Sequence, residues 1–133
     1  MSDLKKLIIQ FIQTQDRNLQ FDFYLHNQII LQIYKLYDIK TWGYGIEKQI
    51  VSDLVVELTF NKQKFNNENN KRRLLNSDLF HRFYRFDTIK EDSYWIGIDS
   101  KQSTELIESQ ILEIINTVYD LNGENIVFTV NAF

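Results

Sequence analysis

The spacing of hydrophobic positions changes several times along the chain. Between Ser2 and Gln15, Leu4, Leu7, Ile8, Phe11 and Ile12 recur at the three- and four-residue spacing of one helical stripe, with Lys5, Lys6, Gln10 and Gln13 opposite. Ser2 stands where an N-cap is needed. From Leu19 the period drops to two: Leu19, Phe21, Phe23 and Leu25 alternate with Gln20, Asp22 and Tyr24. His26-Asn27 supplies a turn, and Ile29 to Tyr37 returns as a second strand rich in β-branched and aromatic residues. The two glycines of Thr41-Trp42-Gly43-Tyr44-Gly45 mark a bulge or turn, where positive φ is needed. Leu54, Val56, Leu58 and Phe60 then alternate with Val55, Glu57 and Thr59 as a half-buried strand.

Lys62 to Asn76 is different material. Asn66, Asn67, Asn69 and Asn70 surround Glu68, and Lys71-Arg72-Arg73 follows, which predicts a long mobile loop, because amides and charge bury too little surface to offset ordering. His81 to Ile89 and Tyr94 to Asp99 predict a second hairpin across Lys90-Glu91-Asp92-Ser93. Ser103 caps a helix running to about Leu121, with Ile107, Ile111, Ile114, Ile115, Val118 and Leu121 in one stripe and Asn122-Gly123 as its stop. Ile126 to Val130 is a last strand. Short turns between consecutive strands predict an antiparallel sheet of about five to six strands. The two one-sided helices predict that one face is covered by an N-terminal and a C-terminal helix, an α+β two-layer sandwich.

Composition narrows the chemistry. A chain of 133 residues fits one domain, 1–133, large enough to close a core without a metal or disulfide. It has no cysteine, which excludes a thiol nucleophile and a cysteine zinc site, and only two histidines, His26 and His81, neither at a spacing that marks a catalytic base. No apolar run approaches the ~20 residues of a membrane span, and the start lacks the pattern of a secretory signal, so a cytoplasmic location and no membrane partner are expected. Asp53 and Glu57 stand four apart on one strand face, but the residue two after Glu57 is Thr59, where a metal-dependent nuclease of the restriction-endonuclease type needs lysine. The predicted element is the outward polar face of a strand. No catalytic residue, metal or cofactor is expected.

Charge is placed unevenly within a net balance of −3. From Asn61 to Arg85 basic residues outnumber acids by roughly five, with Phe65, Phe80, Phe83 and Tyr84 interleaved. Lys71, Arg72, Arg73, Arg82 and Arg85 are the candidate cations for a nucleic-acid patch, although the acidic whole disfavours one. From Asp87 to Glu124 acids exceed bases by roughly seven. On the second long helix Glu105, Glu108, Glu113 and Asp120 lie opposite the apolar stripe, with Leu112 and Tyr119 among them. An acidic helix face carrying an apolar and an aromatic anchor, with Asp99 at its N-terminal edge, has the make-up of a protein-binding surface.

Trp42-Gly43-Tyr44-Gly45 within the meander, Tyr94-Trp95-Ile96-Gly97-Ile98-Asp99, and the acidic helix from Ser103 together resemble the small bacterial immunity proteins that neutralise a cognate toxin domain by occupying it. That resemblance implies a non-enzymatic binding protein and a basic toxin domain as partner. Were the toxin a nuclease, its phosphate-binding cleft would be basic, and acidic groups would block it. The chain is also similar in size and charge to secretion chaperones of the type III class. It departs from them in its Asn-rich segment and in ending on a strand rather than a helix.

Overall fold

The computed structural model describes residues 3–14, 18–40, 52–61, 64–87, 92–121 and 126–132. The predicted glycine turn at 41–45 lies outside them. Helix α1 (Asp3–Gln13) turns Leu4, Ile8 and Phe11 inward. It is followed by β1 (Leu19–Leu25) and β2 (Gln28–Lys35), joined by His26 and Asn27 at φ 47° and 66°. Two consecutive positive φ values give the turn whose twist matches that of a hairpin, and asparagine is among the residues that adopt it most readily. The second strand stops at Lys35 instead of Tyr37, because Leu36–Lys40 forms a short helix, α2.

Strand β3 (Leu54–Phe60) follows. The predicted mobile loop at 62–76 is corrected where it is described: Glu68–Leu75 is a helix, α3, started by Asn67, whose side chain accepts from the Asn70 backbone N–H at 2.9 Å. The asparagines are caps and bridges there rather than solvated filler. A single 3₁₀ turn, Phe80–Arg82, takes the place of the predicted start of the second hairpin, so β4 is only Tyr84–Asp87 and pairs with β5 (Asp92–Ile98). Helix α4 (Thr104–Tyr119) begins as predicted, with the Ser103 hydroxyl accepting from the Leu106 N–H. It ends earlier, on Asp120 in the left-handed conformation at φ 55°. Strand β6 (Ile126–Ala132) completes the fold.

All six strands form one antiparallel sheet in the order β4-β5-β3-β2-β1-β6. Helices α1 and α3 both pack against α4, and the three contribute Leu4, Ile8, Phe11, Leu74, Ile107, Ile111, Ile115 and Val118 to the core over one sheet face. Phe21 and Phe23 of β1 stack at 4.8 Å, and Phe11 meets Phe21 edge-on at 5.8 Å. Lys35, 7% exposed, sends its ammonium to the Thr14 carbonyl at the end of α1 and lies 5.4 Å above the Phe11 ring. It acts as the basic cap that the last turn of α1 lacks.

The sheet is forked. Strands β2 and β3 pair only from Gln32↔Glu57 to Lys35↔Leu54. Beyond Gln32 they have different neighbours, Gln28–Leu31 lying against β1 and Leu58–Phe60 against β5. A bulge sets Ile30 outside the β1 register, and its carbonyl is free to turn into the fork.

Candidate functional site

Two ion pairs join the acidic face of α4 to the basic segment, and two more draw in β5 and α1. Lys71 pairs with Asp92, Arg73 with Asp120 at 3.6 Å, and Arg82 with Glu113 at 3.7 Å, while Lys5 of α1 reaches Glu105 at 3.7 Å. The Arg73 Nε–H also donates to the Thr117 carbonyl at 3.2 Å, tying α3 to α4. The Asp92 carboxylate holds the Lys71 ammonium above the ordinary lysine value, chiefly by hydrogen bonding and against some desolvation. The two charged poles of the sequence therefore meet within the chain.

Of the residues expected on the α4 binding face, Glu105, Glu113 and Asp120 are exposed but paired, and Glu108 is half-buried. Leu112 is partly buried against the core. Tyr119 is corrected outright: it is 8% exposed, and its hydroxyl lies 2.6 Å from the Ile30 carbonyl and 2.8 Å from Asn66 Oδ1. The helical stripe is wider at this end because α3 covers the flank on which Tyr119 sits. Asp99 is exposed and accepts from the Lys101 N–H at 2.9 Å, beside an open groove of about 510 Å³ shared with Arg82, Gln102 and Gln110. Arg72 is exposed, and Arg85 lies on β4 with its side chain outside the described set.

Asp53 and Glu57 do not converge on a common ligand. Asp53 accepts from both the backbone N–H (2.8 Å) and the hydroxyl of Ser100, fastening the approach to β3 onto the turn before α4. His26 is exposed in its turn and stacks on Phe65 at 5.7 Å, and His81 is exposed on the 3₁₀ turn. Among the described residues no group of three His, Asp or Glu is placed to hold a metal ion.

A different surface stands out once the strands are in register. On the sheet face away from α1, α3 and α4, the pairing sets Asp22, Gln32 and Glu57 side by side across β1, β2 and β3. Asp22 is 1% exposed, and its carboxylate accepts from four neutral donors: Gln32 Nε2 at 2.9 Å, Asn131 Nδ2 at 2.8 Å, Gln20 Nε2 at 3.1 Å and the Tyr24 hydroxyl at 3.4 Å. Desolvation first, and the Asp22 charge second, raise the Tyr24 phenol above its ordinary value. Glu57 accepts from the Thr59 hydroxyl at 2.9 Å, which in turn meets the Ser93 hydroxyl at 2.9 Å. Asp22 and Glu57 are the charged residues among the described strand positions of this face. The rest are amides, hydroxyls, aromatics and small apolar groups.

The fork opens onto the same face as a cleft of about 490 Å³ lined by Tyr24, Gln28, Gln32, Glu57, Thr59 and Asn61, among others. Its floor is Asn66, 4% exposed, whose Nδ2 donates to the Ile30 carbonyl at 3.2 Å and to the Thr59 carbonyl at 2.6 Å. Gln28 Oε1 accepts from the Phe65 N–H at 3.1 Å, and its buried Nε2 has no hydrogen-bond partner. Toward α2, Tyr34, Val55 and Trp95 are buried, while Tyr84 of β4 and Val127 of β6 are exposed at the two edges of the same face.

Of these residues the sequence singled out only Glu57, and for another chemistry. The available signal was an acid in the middle of an alternating strand, Gln20-Phe21-Asp22-Phe23-Tyr24, flanked on its own face by an amide and a phenol. Among the described residues, no helix is long and apolar enough to cross a membrane. Comparison of the chain with protein-family models, with curated proteins and with solved structures gave no match.

Proposed function

We propose that the chain is a non-enzymatic binding protein that docks a basic partner on the sheet face away from α1, α3 and α4, around Glu57 and the cleft between β2 and β3. A single observation carries this reading. The described strand residues of that face include two acids and no cation, set side by side with Gln32 across β1, β2 and β3 next to an open cleft, which favours a partner of opposite charge. The polar groups around Asp22 are pre-ordered by hydrogen bonds, which lowers the entropy lost on docking.

Its resemblance to immunity proteins makes a toxin domain the partner of choice, with the acids of the sheet face set against the basic cleft of that domain. The cations proposed for nucleic acid support that alternative poorly, because Lys71, Arg73 and Arg82 already face acids. The experiment is a binding titration against a basic toxin domain encoded beside the gene of this chain. A one-to-one complex weakened by Glu57→Lys is the expected result. A complex indifferent to Glu57→Lys but lost on charge reversal at Glu108 and Glu113 would move the interface to α4.

A further inference from the structure

The two edges of the sheet are built differently. Strand β4 has four residues, and its sequence includes Arg85 and Asp87. Strand β6 has seven, Ile126-Val127-Phe128-Thr129-Val130-Asn131-Ala132, and every one pairs with β1 without a bulge. It contains no charge, proline or glycine, and it ends the strand order, with no described strand on its outer side. Edge strands are ordinarily protected by brevity, lysine, proline or a bulge, because a row of unpaired N–H and C=O groups templates pairing with another chain. None of these devices is present in β6.

The core is also incompletely closed at this edge. Leu7 and Ile12 of α1, Leu19 of β1, and Phe128 and Val130 of β6 are only partly buried, and on the opposite sheet face Val127, beside Tyr24, is 61% exposed. A groove lined by Asp3, Lys6, Leu7, Ile126, Val127 and Phe128 runs between α1 and the strand. Among the described residues, no strand pairs with the outer side of β6, and its apolar side chains stay partly open.

We propose that a second copy of the chain makes that contact, with β6 pairing antiparallel to its counterpart about a two-fold axis and the two sheets becoming one. Antiparallel pairing about a two-fold axis is self-complementary, so one strand supplies both halves of the interface. An uncharged strand places no like charges opposite each other, which a chain of net charge −3 could not achieve at its acidic surfaces. Helix α1 has its Asp3–Leu7 end beside Ile126–Phe128 and its Thr14 end beside Lys35 of β2, so it crosses the sheet from this edge inward and only its first turns flank β6. The edge lies apart from the cleft between β2 and β3, and partner docking there does not depend on it.

Sedimentation velocity and light scattering across a dilution series test the proposal. Expected is a concentration-dependent species of twice the 16.0 kDa chain mass. Val127→Ile should leave it intact. Val127→Lys enters the interface twice and should raise the dissociation constant by about fivefold or more while the circular dichroism and melting temperature stay unchanged. Hydrogen exchange should show alternate β6 amides gaining protection as dimer forms. A chain of single mass at every concentration would overturn the proposal. So would a dimer that Val127→Lys leaves untouched and whose β6 amides stay open, or protection of β6 that arises only when a different protein is added.

Discussion

The Tyr119 hydroxyl lies 2.8 Å from Asn66 Oδ1, joining the last turn of α4 to the floor of the fork between β2 and β3. Its one proton is shared between that oxygen and the Ile30 carbonyl at 2.6 Å, while Asn66 spans from Ile30 to Thr59. Two buried side chains, Tyr119 and Asn66, thus satisfy the Ile30 and Thr59 carbonyls that the diverging strands leave unpaired. The cleft above them has a fixed floor.

Removing that hydroxyl should be costly. Tyr119→Phe leaves buried acceptors short of a donor and should lower stability by about 1–3 kcal/mol in chemical denaturation. Asn66→Ala should cost more, because it strips donors from two carbonyls at once. Wild-type stability in Tyr119→Phe would show that the fork is closed by other means.

Alkaline pH should unfold the protein. Burial pushes the Tyr119 phenol above its ordinary 10.0, and the Asp92 carboxylate raises the Lys71 ammonium above 10.5. For both groups the folded value is the higher one. Their stabilisation is therefore complete below the unfolded values and is lost as pH rises above 10. Ultraviolet titration should find the Tyr119 phenol silent until the chain unfolds. A full complement of tyrosines ionising in the native state would contradict the buried Tyr119.

Helix α3 should depend on its cap. Asn67→Ala removes the acceptor for the Asn70 N–H and should cost about 1 kcal/mol, whereas Asn67→Asp should be tolerated, since an acid at that position accepts the same bond. Equal melting temperatures for Asn67→Ala and the wild type would show that tertiary contacts alone hold the helix.

Much of the fold was legible because periodicity survives burial. The stripe from Leu4 to Ile12, the alternation from Leu19 to Leu25, the His26-Asn27 turn and the Ser103 cap all carry local signals that packing reinforces. Helix α3 was not legible. Its sequence, Glu-Asn-Asn-Lys-Arg-Arg-Leu-Leu, buries only Leu74, and the side chains that anchor it, Asn66 and Arg73, have partners in β2, β3 and α4. That omission produced the others. Without α3, the flank of α4 holding Tyr119 reads as solvent, and the charges of 71–82 read as a free patch instead of counter-ions to Asp92, Glu113 and Asp120. The cleft was invisible for a related reason, since a fork depends on where β2 and β3 stop pairing, and neither strand's own sequence records that.

The measurement bearing most directly on function is the association rate, at low salt, between the chain and a basic toxin domain encoded beside its gene, for wild type, Glu57→Lys and the double variant Glu108→Lys/Glu113→Lys. Docking on the sheet face predicts that Glu57→Lys slows association by about tenfold or more, with the double variant close to wild type. A Glu57→Lys chain that associates at the wild-type rate, beside a slow double variant, would contradict it.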